Sequence, residues 1–386
     1  MRFEFATATR IIFGRGTINE VGPAATEMGR RAFIVTGRSA ERAAPVLEQL
    51  KEHGIECRTF SVPGEPTTAM IKQALASAKQ ARSNIVISIG GGSALDAGKA
   101  IAAMLTNAGE LEEFLEVIGP CKPITQNPAP HIAVPTTAGT GAEVTCNSVL
   151  GVPEHQVKVS MRSPLLLPRL AIVDPELTFS MPPAVTAATG LDALTQLIEA
   201  YVSNKANPLT DGICREGIKR AGRSLQAAYE DGRNEAARED MALASLFGGL
   251  ALANAKLGAV HGFAGPLGGM TGAPHGVICA RLLPYVMHAN IRALHQRAAG
   301  STALARYDEI AALVTGKARA LDGLAWIQNL CAALKVPRLS EYGLQKQDFL
   351  EIVAKAQKSS SMKGNPIALT DDELMEILIK ANTPAK

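Results

Sequence analysis

The sequence predicts an α/β N-terminal domain on a parallel, Rossmann-like sheet, followed by an all-α helical C-terminal domain. Three observations carry this. Short apolar runs without helical period recur between helix-length segments, as buried parallel strands do: RAFIVT (Arg31–Thr36), NIVISI (Asn84–Ile89) and HIAVP (His131–Pro135). After Asp174-Pro175, β-branched runs nearly cease, and alanine- and leucine-rich periodic segments punctuated by prolines take over. At 386 residues, 47% hydrophobic, 4% aromatic and 35 glycines, the chain has the length of about two domains and the composition of a small-residue α or α/β protein. The boundary is expected near 176–182, giving domains 1–178 and 179–386.

In order, FEFAT (Phe3–Thr7) and RIIFG (Arg10–Gly14) read as two short strands, with Gly14 and Gly16 turning the chain. Residues 18–29 read as a helix. RAFIVT is a buried strand, and Ser39 caps a helix through Glu52. CRTFSVP reads as a further strand, and Thr67 or Thr68 opens the next helix. NIVISI runs directly into Gly90-Gly91-Gly92-Ser93 and the helix ALDAGKAIAAML. HIAVP ends in a second polar glycine loop, TTAGTG. The terminal NTPAK is expected to be loose.

Composition excludes several classes. The net charge of +3 comes without a basic block, so nucleic acid is not implied. Six cysteines are scattered without a CxxC pair and read as reduced, mostly buried residues. No apolar run reaches the ~18 residues of a membrane span, and MRFEFATATR lacks the apolar core of a signal peptide. A soluble cytoplasmic protein is expected.

The chemistry-bearing residues fall in three places. Gly91, Gly92 and Ser93 sit where a strand meets a helix, so backbone amides and the helix N-terminus can hold an oxyanion. This is not GxGxxG, and a bare βα turn is the competing reading. A second glycine loop, Thr136–Gly141, favours a shared ligand crevice. Asp96 and Lys99 follow on the helix, with a helix N-terminal charge and a solvated face as their respective competing readings. At the end of RAFIVT the chain reads Gly37-Arg38-Ser39 with no acid. Arg38 suits a ribose 2′-phosphate, which favours NADP over NAD. The third place is Val260–His275, VHGFAGPLGGMTGAPH, with two of the seven histidines. A helix of moderate length and a loop can bring His261 and His275 to one point. Asp192 and Gln196, four apart in TGLDALTQLIEAY, share a helix face. A carboxylate, an amide and two imidazoles make a small metal-ligand set. Cys146 and Cys279 read as small core residues. Phe263, Leu267 and Met270 hint at an uncharged substrate.

With these residues in view, the chain resembles the iron-dependent (group III) alcohol dehydrogenases. The resemblance rests on GGGSALDAGKAIA from Gly90, PTTAGTGAEVT from Pro135, DPELT from Asp174, TGLDALTQLIEAY from Thr189, VHGFAGPLGG with PHG from Val260, and GNP at Gly364. It implies the dehydroquinate-synthase-like, iron alcohol dehydrogenase fold. It also implies an N-terminal dinucleotide domain, a helical metal and substrate domain, and homodimers or larger homo-oligomers. The implied reaction is hydride transfer between NAD(P)(H) and a small alcohol or aldehyde, assisted by a divalent metal, Fe2+ or Zn2+. Gly91, Gly92 and Ser93 would hold the pyrophosphate. Asp96 would lie near the nicotinamide. Thr136, Thr137 and Thr140 would contact the nucleotide, and Lys158 its ribose or phosphate. Asp192, His261 and His275 match three of the four metal ligands. The sequence departs from the family twice: Gln196 stands for the fourth ligand histidine and Gly265 for a proton-relaying histidine. Asp96 and His275 are then the candidate catalytic residues. Loss of a ligand histidine leaves three rivals open: a metal-free reductase resembling maleylacetate reductase, a dehydroquinate-synthase-like lyase, and a non-catalytic nucleotide-binding homologue. The lyase is disfavoured, because it needs a basic phosphate pocket that the C-terminal motifs lack.

Overall fold

A computed structural model describes residues 2–155 and 157–383. Contacts divide the chain into two compact units. One comprises 6–137 with 141–179. The other comprises 1–5, 138–140 and 180–386.

The first unit is built on a six-stranded sheet in which every pair is parallel. Its strands are β1 (Arg10–Phe13), β2 (Arg31–Thr36), β3 (Glu56–Ser61), β4 (Ile85–Gly90), β5 (His131–Pro135) and β8 (Leu170–Val173). A separate antiparallel hairpin pairs β6 (Asn147–Val152) with β7 (Val157–Arg162). The sheet order is β1-β8-β5-β4-β2-β3. Four helices accompany it: α1 (Val21–Thr26), α2 (Ala44–Glu52), α3 (Thr68–Gln80) and α4 (Gly92–Thr106). The central strands are mostly apolar because both faces are covered. Ile34, Ile87 and Ile132 pack with Val21 and Val46 of α1 and α2. Phe33, Val35 and Val86 pack with Ile71 of α3 and Ala97 and Ile101 of α4. Gly98 lets α4 lie close on the sheet: a Cβ there would come within 1.8 Å of Ser88 Oγ.

Three local readings change. Residues 3–7 form no strand. FEFAT lies outside the named strands, and Phe3 is half-exposed. The segment read as one helix over 18–29 is a 3-10 turn (Thr17–Glu20) followed by the short α1. Ser39 makes no side-chain cap. It precedes a 3-10 turn, and the α-helix begins at Ala44 with Pro45 in its first turn, where a missing N–H costs nothing. Thr67 does cap α3, accepting from Met70 N. The hairpin β6–β7 breaks the strand–helix alternation and was not read from the sequence.

The second unit holds nine helices among the described residues: α5 (Pro183–Val202), α6 (Pro208–Glu230), α7 (Glu235–Asn254), α8 (Ala259–Thr271), α9 (His275–Arg297), α10 (Thr302–Thr315), α11 (Ala320–Ala333), α12 (Phe349–Lys358) and α13 (Asp371–Asn382). Their apolar faces meet in one core. α13 runs through Asn382, and 384–386 of the expected loose end lie outside the described residues. No single helix among the described residues is long and apolar enough to cross a membrane.

Candidate active site and metal centre

Helix α5 is buried without interruption from Gly190 to Val202. Such a helix carries polar residues only where something pairs them. Asp192, Gln196 and Glu199 repeat at the i, i+4, i+7 spacing that places them on one face. Their burial leaves at most 4% of each exposed.

Glu199 organises the start of α8. The N-cap there is Gly258, which has no capping side chain, and the first amides of a helix lack intrahelical acceptors. Glu199 Oε1 accepts from Val260 N at 2.7 Å, and Oε2 from His261 N at 3.4 Å. Asn365 Oδ1, from the GNP segment, accepts from Ala259 N at 3.1 Å. A Cβ at position 258 would sit 2.8 Å from both of these side-chain oxygens, which requires the glycine. The same Glu199 Oε2 lies 2.7 Å from His261 Nδ1. A carboxylate only accepts, so Nδ1 carries the proton, and in the neutral ring that binds a metal Nε2 presents the lone pair.

That lone pair faces Asp192 Oδ1 at 3.3 Å. His275 opens α9, and its Nε2 lies 3.6 Å from the same oxygen. The two imidazole centroids are 5.4 Å apart. Helix α8 and a tight turn through left-handed Gly272 (φ +67) connect them. Gly276 permits α9 to start against α5, since a Cβ there would meet Ala188 O at 2.6 Å. Asp192 Oδ1 is buried without a hydrogen-bond donor. Gln196 Nε2 donates to the other carboxylate oxygen, Asp192 Oδ2, at 3.4 Å, and Gln196 Oε1 has no partner. Gln196 therefore steadies the aspartate rather than pointing its carbonyl at the imidazoles.

Cys279 enters the cluster unexpectedly. Its sulfur lies 3.7 Å from His261 Nε2 and 3.6 Å from His275 Nε2. One ligand atom from each of Asp192, His261, His275 and Cys279 falls within 4.8 Å of the others. Cys279 is a buried core residue, as read from the sequence, and its sulfur also joins this cluster. A signal existed: it stands four residues after His275, the spacing already noted for Asp192 and Gln196. Glu199 was missed likewise, three residues after Gln196. Phe263 and Leu267 have no exposed surface and belong to the helical core.

The electrostatics match a cation site. Burial opposes ionisation of Asp192, but His275 and His261 hold its carboxyl below the usual range. Burial likewise opposes a charged imidazole, yet Cys279 and Asp192 lift His275 to about 9. His261 is raised by Cys279, Asp192 and Glu199 against the same burial. Each imidazole is surrounded by negative or electron-rich neighbours that favour its protonated form, and a divalent metal would take the place of those protons. Gly265, on α8, has open space: a Cβ there meets nothing within 4 Å.

In the sheet unit, the carboxyl ends of β2, β4 and β5 come together. A Cβ on Gly90 would lie 3.2 Å from Gly37 N, and Thr136 N donates to Gly90 O at 2.9 Å. Thr137 Cγ2 is 3.3 Å from where a Gly91 Cβ would be. The chain leaves β2 toward β3 on one side and returns to β4 on the other, a topological switch point where open α/β sheets bind ligands. Gly37, Arg38 and Ser39 follow β2 there, and Gly91 is the N-cap of α4, with Gly92 and Ser93 its first residues. Arg38 Nε donates to Pro63 O at 3.2 Å. Thr140 precedes left-handed Gly141 (φ +59) and groups with the helical unit.

Two other residues are tied elsewhere. Lys158 on β7 pairs with Glu65 at 2.6 Å. Asp96 accepts from Val149 N at 3.1 Å and lies 3.4 Å from Lys99 Nζ. Lys99 is not on a solvated face. It is 1% exposed and donates to Thr145 Oγ1 and Asn147 O, and burial lowers its pKa. Its stem crosses the helix–hairpin seam, which periodicity alone could not reveal.

Comparison with known proteins agrees with this geometry. Residues 8–175 match the family model "Iron-containing alcohol dehydrogenase", and residues 186–382 match "Fe-containing alcohol dehydrogenase family, C-terminal". Alcohol dehydrogenase 4 of Saccharomyces cerevisiae (strain YJM789) is 36% identical over 377 residues, covering 96% of each chain. A crystal structure of 1,3-propanediol oxidoreductase superposes with a TM-score of 0.91 at 34% identity, covering 99% of this chain and 100% of that one. The sulfoacetaldehyde reductase of Bifidobacterium kashiwanohense, solved with NAD+, gives 0.87 at 29% identity, covering 100% of both. The α/β unit, the helical unit and the Asp192–His261–His275 cluster thus place this chain in the iron-containing alcohol dehydrogenase family, as an oxidoreductase of the alcohol–aldehyde couple.

Proposed function

We propose that the chain reduces a small aldehyde with NADPH in preference to NADH, reversibly, with a divalent ion, Fe2+ or Zn2+, held by Asp192, His261 and His275. The observation that carries this reading is the convergence of Asp192 Oδ1 with the two Nε2 atoms at 3.3 and 3.6 Å. A divalent ion in this cluster supplies Lewis-acid polarisation of the substrate oxygen. The hydride belongs to the nicotinamide, and the protein orients it. Gly91, Gly92 and Ser93 present the α4 amides to the pyrophosphate. Thr136, Thr137 and Thr140 line the nucleotide, and Arg38 meets a ribose 2′-phosphate. Lys158 can reach the ribose or phosphate only by leaving Glu65. Asp96 acts by fixing the first turns of α4 to β6 beside the nicotinamide end. Aldehyde, NADPH and one proton give alcohol and NADP+. Of the two ligand imidazoles, His275 is the more open to solvent, with 40% of its side chain exposed against 6% for His261.

Metal content and NADPH-dependent aldehyde reduction, before and after chelation, test the reading. One equivalent of metal with activity lost on its removal supports it. Full activity in metal-free protein refutes the metal assignment. Arg38→Ala should raise KM for NADPH about tenfold, the worth of one charge-assisted contact, and leave NADH unchanged. Full activity with NADH and none with NADPH in the wild type refutes the cofactor preference. We also infer a homodimer or larger homo-oligomer in a cytoplasmic setting, the former checked by sedimentation equilibrium.

A further inference from the structure

We propose that Cys279, not Gln196, supplies the fourth protein ligand, making the metal centre an Asp–His–His–Cys site that selects zinc over iron. The proposal rests on the reading of Asp192, His261 and His275 as ligands and goes beyond it.

Three observations on the page support it. The first is distance. Metal–ligand bonds of about 2.0–2.3 Å at tetrahedral angles place ligand atoms roughly 3.3–3.8 Å apart. Four edges of the cluster fall in that range: Asp192 to His261 at 3.3 Å, Asp192 to His275 at 3.6 Å, Cys279 to His261 at 3.7 Å, and Cys279 to His275 at 3.6 Å.

The second is proton accounting. Asp192 Oδ1 is buried with no donor. In the neutral ring His261 Nε2 is a lone pair because Nδ1–H is given to Glu199. His275 Nε2 lies beside both. A divalent cation would replace the protons shared among these groups and meet all of them at once, with a thiolate as its partner.

The third is the position of Gln196. Its amide nitrogen, a donor, faces Asp192, and its orphaned Oε1 lies against Gly248, 3.2 Å from where a Cβ would be. The glutamine is a positioning residue for the aspartate. Cys279 is fully buried, and its i, i+4 relation to His275 on α9 fixes both side chains toward α5. Replacing imidazole by a thiolate softens the donor set, and thiolate favours zinc among the divalent ions in question.

Cobalt(II) provides the test, because a sulfur ligand adds an intense near-ultraviolet charge-transfer band that oxygen and nitrogen ligands do not give. Metal-free full-length protein is titrated with Co2+ and followed by absorption and equilibrium dialysis. We expect one equivalent bound, with the sulfur band present in the wild type and in Gln196→Ala. The band should be lost in Cys279→Ser, with at least about tenfold weaker Zn2+ binding. Dialysis against equimolar Zn2+ and Fe2+ without oxygen should load zinc in the wild type, with the ratio falling in Cys279→Ser. Circular dichroism of each variant establishes that it is folded. Co2+ binding without a sulfur band in the wild type overturns the role of Cys279 and leaves the metal reading standing. A band that survives Cys279→Ser, or disappears in folded Gln196→Ala, also overturns it. No Co2+ or Zn2+ binding at all refutes the metal-centred function itself.

Discussion

Glu199→Gln is the most informative substitution, because it changes one atom's hydrogen-bonding sense and little else. In the wild type two anionic oxygens receive three donors: Val260 N at 2.7 Å, His261 N at 3.4 Å and His261 Nδ1 at 2.7 Å. Glutamine keeps the acceptor for Val260 and sets an NH2 group against the other two. The imidazole relieves its half of that conflict by exchanging tautomers, so that Nδ1 accepts from the amide and Nε2 carries the proton. That proton then points at Asp192 Oδ1, 3.3 Å away, where the ligand lone pair had been. Loss of such an outer partner costs 10–100-fold in metal affinity, about 1.4–2.7 kcal/mol. The His261 amide is left unsatisfied, which lowers the stability of metal-free protein by about 1–3 kcal/mol, less whatever the new Nε2–H contact returns. Competition of metal-free protein with a chromogenic chelator for Zn2+, alongside urea unfolding, reads both quantities. A folded Glu199→Gln protein that binds Zn2+ with wild-type affinity refutes the assignment of the His261 tautomer and of Nε2 as the ligand atom.

Three further outcomes follow from the same geometry. Gly98→Ala should destabilise the sheet unit by about 1–3 kcal/mol through overpacking, because its Cβ would meet Ser88 Oγ at 1.8 Å and His131 Nε2 at 2.9 Å; urea unfolding measures it. Gly265→Ala should raise stability by about 0.5–1 kcal/mol, since a methyl meets open space and the backbone is helical; an unchanged or lowered melting temperature would count against the open site. Burial pushes the Glu143 carboxyl from 4.5 up to about 7, with Lys99 pulling the other way. Its folded pKa is raised, so the folded state holds this proton more tightly than the unfolded chain. Stability from this group is therefore full below pH 4.5 and lost as pH rises to about 7. Glu143→Gln should melt above the wild type at pH 8 and level with it at pH 4.5, and a constant difference across that range would refute the titration.

Much of this protein was legible from local chemistry. RAFIVT, NIVISI and HIAVP are mostly apolar because a parallel sheet covered on both faces buries strand interiors, and the structure places their apolar residues in the sheet core. Asp192, His261 and His275 were legible because a carboxylate and two imidazoles in otherwise apolar helical segments need a reason to be there. What sequence by itself could not supply was which helix faces meet. Cys279 reads only as a core residue and Glu199 draws no notice until α5, α8 and α9 are packed, whereupon one faces both Nε2 atoms and the other holds Nδ1. That Gln196 shares a face with Asp192 was legible, but that its amide nitrogen turns to Asp192 Oδ2 was not. A solvated face stayed open as a reading of Lys99 because helical period says nothing of the β6–β7 hairpin laid over it. FEFAT alternates like a strand, yet residues 3–7 form none, because alternation alone does not supply a partner edge. Residue type and spacing are properties of the chain within a turn or two of helix. Ligand identity, protonation and burial are set by atoms brought from far along it, and only the packed structure decides those.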